Sequence, residues 1–339
     1  MYPSSSSSSP QWQLQSTIWT ENKSGATGFL IVGFSDSPEL QGPLFLFFLI
    51  IYLVTVWGNL LIVSLISTDS LLQTPMYFFL CNLSCLDISY SSVTAPYLLH
   101  IFSTGNNNIS FEKCMVQLYF FGSFTVTEYM LLTTMAYDRY MAICRPLFYP
   151  QVMNQRTCIL LAAAAWIGGF LAAVPVIIVI SALTFCVSNI INHFFCDVTA
   201  LLKLSCDDIS AVELVVFAEG SSLLFSCFIL TMMSYIYIIS AILKITSAEG
   251  RYKTFSTCGS HLTAVTLFYV LLVCVYMKPP SLYSLDEGKV VSVLYVNVIP
   301  MLNPIIYSLR NKDVKKALQE LPRRWFYCMP RAILGDSLI

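Results

Sequence analysis

Seven stretches of this chain run for twenty or more residues with almost no ionisable side chains, and that pattern leaves few folds open. They are residues 43–68, 74–102, 114–137, 157–181, 214–243, 254–277 and 290–309. A helix needs about 20 mostly apolar residues to cross a bilayer. Only Asp87, His100, Glu128, Glu219 and His261 interrupt these runs with a carboxylate or an imidazole. The whole chain is 11% charged, with a mean hydropathy of +0.70; a soluble domain carries roughly 25% charged residues. The expectation is an all-α membrane protein, a seven-transmembrane helix bundle. Its parts are an extracellular segment 1–42, a transmembrane domain 43–309 and a cytoplasmic tail 310–339.

Basic residues set the orientation of such a chain. The loop 138–156, the loop 244–253 and the tail from Arg310 hold thirteen of the eighteen lysines and arginines. Those segments are therefore predicted to be cytoplasmic and the N-terminus extracellular. The first 28 residues are polar and lack the apolar core of a cleavable signal. The first span is expected to serve as the targeting signal. Asn22-Lys23-Ser24 is then an N-glycosylation acceptor on the outer side. Asn82-Leu83-Ser84 has the same pattern inside a span, where no transferase reaches.

Topology also sorts the twelve cysteines. Cys114, Cys186, Cys196 and Cys206 fall on the oxidising side, where disulfides persist. Four cysteines allow three pairings, and spacing alone does not choose among them. Bridges here would hold the long loop between spans four and five as a lid over the bundle mouth. Cys328, in the tail, is either a free thiol or a palmitate carrier.

Ionisable groups inside a bilayer are rare and mark functional positions. On a helix advancing 100° per residue, Phe121, Thr125, Glu128 and Arg139 fall within about 40° of one another. They form one stripe that must face the bundle interior. The stripe is either structural, hydrogen-bonded to neighbouring helices, or chemical. In the second case Asp87 and Glu128 share a proton or hold a cation such as Na+, because two bare carboxylates repel in low dielectric. In the seventh span, Pro300 and Pro304 remove backbone donors, which predicts a bend with a polar lining. A basic amphipathic helix is predicted after it, with Val314, Ala317, Leu318, Leu321 and Trp325 on one face and Pro322 near its end. Such a helix suits the inner membrane surface.

Taken in order, Gly58-Asn59, Asp87, Asp138-Arg139-Tyr140, Trp166 and Asn303-Pro304-Ile305-Ile306-Tyr307 resemble the rhodopsin-like G-protein-coupled receptors. A narrower likeness rests on TPMYFFL at 74–80, MAYDRYMAIC at 135–144, Ser234-Tyr235, KTFSTCGSHL at 253–262 and PMLNPIIYSLRNKDVKKAL at 300–318. Together with HFFCD at 193–197 in the long loop, these resemble the olfactory receptors over roughly residues 28–320. The sequence departs from that pattern at Gln73 and Phe148, which replace usual histidines. Val270 replaces the glycine of a Phe-Tyr-Gly motif beside Tyr269.

The resemblance implies specific roles. Cys114 pairs with Cys196 and Cys186 with Cys206. A small, mostly apolar, volatile ligand sits among Phe121, Gly122, Thr125, Val126, Glu219, Leu223, Tyr269, Leu272, Val273, Tyr276, Val293 and Val296. Asp138 neutralises Arg139 at rest, and Tyr140, Tyr235, His261, Asn303, Pro304 and Tyr307 belong to the switch that couples to a stimulatory G protein and raises cAMP. The expected location is the plasma membrane of sensory cilia. Burying roughly 150–250 Å² of ligand at ~25 cal/mol/Å² yields about 4–6 kcal/mol before entropy losses, so weak, broadly tuned binding is expected. Phe121 stands where amine receptors carry an aspartate, which argues against a biogenic amine.

Two other classes make different demands on the sequence. A transporter or channel would use Asp87, Glu128 and His261 as an ion path, but it predicts internal repeats with paired broken helices, and one broken span is seen. An enzyme needs a nucleophile–base or metal-ligand cluster, and none is legible in the sequence.

Overall fold

The computed structural model describes residues 28–34, 38–276, 285–310 and 314–319. Its long helices are α1 (Pro38–Thr68), α2 (Pro75–Thr104), α3 (Phe111–Cys144), α5 (Gln155–Ser181), α7 (Ser210–Leu243) and α8 (Ala248–Tyr276). The short helices α4 (Tyr149–Val152) and α6 (Val198–Leu202) lie in connections, and α9 (Leu285–Val293) and α10 (Ile299–Arg310) follow. Asn22, Cys328 and the far end of the predicted tail helix lie outside the described residues. Residues 314–319 are helical, with Val314 and Ala317 buried and Lys315 and Lys316 exposed.

Local chemistry sets the helix ends. Ser110 and Asn154 accept hydrogen bonds from the backbone N–H groups of Lys113 and Thr157, capping α3 and α5. Gly105, at φ 70°, ends α2 in the left-handed conformation that a glycine adopts without a Cβ clash.

Among the described residues, four helical stretches are long and apolar enough to cross a membrane: Glu39–Thr68, Gln155–Ser181, Ser210–Leu243 and Lys289–Ile306. The first three bury only 28%, 22% and 22% of their most apolar window inside the protein, as expected for helices that turn most of their surface to lipid. α2 and α3 are as long but more polar, because their polar residues face inward. Asp87, Ser91 and Thr94 of α2 and Ser123, Thr127 and Glu128 of α3 are all buried. Helix α3 is the axis of the packing, touching α2, α5, α7 and α8.

A small sheet covers one end. β1 (Gly28–Ile31) lies between β2 (Asn108–Ser110), to which it is antiparallel, and β3 (Ile190–Ile191), to which it is parallel. Beneath it, Phe29, Ile31, Ile109, Ile180, Ile191 and Leu201 form a separate apolar cluster. Cys114–Cys196 and Cys186–Cys206 are disulfide-bonded, with Cα atoms 5.5 and 5.8 Å apart. They pin the long loop onto α3 and onto itself.

The predicted bend lies just ahead of the prolines. Residues Leu294–Val298 form one π-helical turn between α9 and α10. The Pro300 ring would crowd the carbonyl of Val296, four residues back, and widening the turn relieves that contact.

Candidate functional site

The site is built along α3. Phe121 is 4% exposed and packs against rings from three directions. Tyr90 of α2 stacks on it at 5.2 Å, Phe195 of the long loop lies at 4.5 Å, and Tyr295 of the π-turn lies edge-on at 6.1 Å. One helical turn further along α3, the Thr125 and Tyr90 hydroxyls share a hydrogen bond of 3.2 Å. The loop's rings do not stand alone, since Phe194 stacks on Phe34 and Phe34 on Phe48 of α1. An apolar centre with a few hydroxyls on its wall is the usual composition of a small-molecule site.

Of the predicted ligand set, Tyr269, Leu272 and Val296 are buried, and Val126, Leu223 and Val293 are half-buried against the same core. Glu219 is half-buried. Two residues are placed differently from the expectation. Val273 is 44% exposed, on the outer side of α8. Gly122 faces α5, where an added Cβ would meet that of Ala173 at 3.7 Å. The Tyr276 and Tyr307 side chains lie outside the described residues.

Sequence reasoning missed Tyr90, Phe195 and Tyr295. Phe195 had a signal. It precedes Cys196, and Cys114 stands seven residues before Phe121, two turns up the same face of α3. A Cys114–Cys196 bridge therefore carries Phe195 toward Phe121.

His193, in the same loop, is 2% exposed and has no hydrogen-bond partner on either ring nitrogen. It lies against Phe194 and Phe195. Burial pushes its pKa down to about 4, with Asp197 opposing and Lys289 reinforcing the shift. The imidazole is thus held neutral, as a polar ring inside an aromatic cluster.

Deeper in the bundle, Asp87 and Glu128 are 1% and 3% exposed. The Asn303 amide donates to both Asp87 oxygens, at 3.0 and 3.3 Å. Asn59 donates to the carbonyl of Pro300 at 3.1 Å. Pro304 has no N–H to give that carbonyl, so the side chain of α1 replaces the missing helical bond. Gly58 makes the approach possible, since a Cβ there would lie 3.3 Å from the Pro304 ring. Asn59 Oδ1 and Asn297 Nδ2 are buried without partners.

At the other end of α3, the expected Asp138–Arg139 pair has a further partner. Asp138 Oδ1 accepts a hydrogen bond from the Tyr149 hydroxyl of α4 at 2.9 Å. Asp138 Oδ2 and Arg139 Nε are buried without hydrogen-bond partners. The carboxylate is thus anchored by the neighbouring loop helix, and the Arg139 charge also acts on it. Burial, and then the Asp138 charge, raise the Tyr149 pKa above its ordinary value. Tyr235 of α7 and His261 of α8 are both buried, and the Tyr235 hydroxyl meets His261 Nδ1 at 2.5 Å. Tyr140 lies tilted against Tyr237, 5.8 Å between ring centres.

The arrangement therefore has an aromatic centre under a tethered loop, a buried polar layer, and a tyrosine–histidine contact near Arg139. Comparison with known proteins places it. The olfactory receptor family profile matches residues 48–322. Olfactory receptor 5M5 of Mus musculus is 50% identical over 303 residues, covering 89% of this chain and 95% of the relative. Olfactory receptor 5AP2 of Mus musculus is 50% identical over 304 residues, covering 90% and 96%. Olfactory receptor 8I2 of Homo sapiens is 51% identical over 303 residues, covering 89% and 97%.

Proposed function

We propose that this chain, which belongs to the olfactory receptor family, binds small, mostly apolar volatile molecules and signals through a stimulatory heterotrimeric G protein to raise cAMP. Members of this family are G-protein-coupled receptors, not enzymes, and this chain is a membrane protein. In the finer reading, seven helices cross the plasma membrane of sensory cilia, with the N-terminus outside, the C-terminus in the cytoplasm and a short amphipathic helix on the inner surface.

The observation that carries this reading is the geometry of α3. One helix places Phe121 and Thr125 in the aromatic centre, Glu128 in the buried polar layer and Arg139 beside the Tyr235–His261 contact. An odorant that repacks the rings around Phe121 acts on a rigid element whose far end carries Arg139. In the ligand-bound state the cytoplasmic ends of α7 and α8 move apart. Tyr235 then leaves His261, and Arg139 lines the cavity that takes the G protein. Asp87 and Glu128 would hold Na+ in the resting state, with the Asn303 amide orienting Asp87; a cation bound only to that state would favour it.

The test is ligand-evoked cAMP in cells that display the N-terminus outside, over a broad volatile panel. Arg139→Ala should abolish the response while leaving surface display intact. A response that survives in that variant overturns the coupling role of Arg139.

A further inference from the structure

The facing ends of α7 and α8 line a groove of about 280 Å³ that shares no lining residue with the ligand site. Ile242 forms its floor, Ile239 and Leu243 line the α7 side, and Tyr252 and Phe255 line the α8 side. Arg251 stands among them as the one charged side chain of the lining. The walls are otherwise hydrocarbon and aromatic.

The direction in which the groove opens identifies its occupant. Ile236, Ile239 and Leu243 follow a three-then-four spacing along one face of α7, and all three are exposed. That face belongs to a helix long and apolar enough to cross a membrane, so the groove opens toward lipid. Leu243, Tyr252 and Phe255 are 66%, 77% and 54% exposed, a large apolar surface for water to cover. The connection and the first turns of α8, residues 244–253, carry Lys244, Arg251 and Lys253 against a single acid, Glu249. A hydrocarbon slot with a cation at its rim and a net positive segment beside it fits an acyl chain attached to an anionic head.

We propose that this groove seats an anionic phospholipid of the inner leaflet, its acyl chain against Ile239, Leu243 and Phe255 and its phosphate on Arg251. The guanidinium can donate two parallel hydrogen bonds to phosphate. The tyrosine ring of Tyr252 sits at the depth where aromatic side chains meet headgroups. The choice of leaflet rests on the orientation proposed above; the groove and its chemistry do not. A seated lipid touches both helices and braces their ends in the arrangement described here.

The test uses the full chain in nanodiscs of phosphatidylcholine doped with a photoactivatable phosphatidylserine or, in parallel, a photoactivatable phosphatidylcholine. Labelled peptides are mapped by mass spectrometry. The phosphatidylserine probe should label segment 239–255 in preference to the phosphatidylcholine probe, and unlabelled phosphatidylserine should compete. Arg251→Gln should lower that labelling about fivefold, the effect of one cation at an anionic lipid surface, and Arg251→Lys should retain most of it. Leu243→Trp, which fills the slot without changing charge, should also lower it. Equal labelling by the two probes, or labelling indifferent to Arg251→Gln, overturns the proposal. Competition by soluble glycerophosphoserine as strong as by the lipid overturns the acyl-chain half of it.

Discussion

Asn59 donates its side-chain amide to the carbonyl of Pro300 at 3.1 Å, the acceptor that Pro304 leaves without a helical donor. The pair joins α1 to the helix that bears both prolines, and both residues are buried. A buried acceptor left unsatisfied is worth about 1–3 kcal/mol. Asn59→Leu should lower the stability of the purified receptor by that amount, read from thermal unfolding. Pro304→Ala restores the backbone donor, so in its background Asn59→Leu should matter much less. Equal losses in both backgrounds would show that the contact does not carry the effect.

The Tyr235–His261 contact ties α7 to α8 between buried groups. Tyr235→Phe keeps the ring and deletes the hydroxyl, leaving His261 Nδ1 short of a partner. A loss of about 1–3 kcal/mol from this arrangement raises the population of a competing one about 5–150-fold. Ligand-independent cAMP should rise at matched surface expression, and the melting temperature should fall. If both stay at the wild-type value, this contact does not restrain the helices.

Gly169 lies where α5 crosses α3. A Cβ there would stand 2.6 Å from the backbone oxygen of Ser123 and 2.9 Å from the backbone nitrogen of Thr127. Backbone cannot yield as a flexible side chain can, so Gly169→Ala must push the helices apart. Overpacking of this kind costs about 1–3 kcal/mol, and small residues are what permit close helix contacts in a membrane. Surface display should drop sharply. Gly220→Ala, where nothing lies within 4 Å, should leave display near wild type.

His193 makes stability depend on pH. Its folded pKa, held near 4 chiefly by burial, lies below the roughly 6.5 of an unfolded imidazole. The folded state therefore binds fewer protons, and stability falls as pH drops from about 6.5 toward 4. The size is on the order of 3 kcal/mol, from about 1.36 kcal/mol per pKa unit. Melting curves in detergent between pH 7.5 and pH 4 should show this loss. His193→Phe should flatten the profile across that window; a profile with the wild-type slope would place the titration elsewhere.

What could be read from the sequence is what local periodicity and charge encode. The apolar runs locate the helices with ends up to seven residues off, and the angular positions of Phe121, Glu128 and Arg139 put them on the inner face of α3. Phe121 and Glu128 are buried and Arg139 is half-buried there. Contacts that join distant segments were not legible in the same way. The bond from Tyr149 to Asp138 depends on how α4 folds back after α3, and the family resemblance pointed only to Arg139 as a partner. The outward placement of Val273 depends on the rotation of α8, which the unbroken apolar run Leu267–Val273 does not reveal. Asn59 was legible as a polar group in a span, but its acceptor was not, because the need arises from a proline 245 positions later in the chain.

Phe195 gives the most direct access to ligand choice. Its ring lies 4.5 Å from that of Phe121 and 4.9 Å from that of Phe194. The adjacent Cys114–Cys196 bridge fixes the loop backbone. Truncation to alanine therefore opens space above Phe121 that the tethered loop cannot close by sliding inward. A buried apolar contact contributes about 25 cal/mol for each Å² removed from water, so ligands that lean on this ring should lose potency. Longer or bulkier ligands gain room and the surface that lines it. Dose–response curves over a homologous series of alkyl odorants should shift their best chain length upward in Phe195→Ala, while Phe195→Leu should shift it less. An unchanged optimum, at equal surface expression, would place the binding cavity away from Phe121 and Phe195.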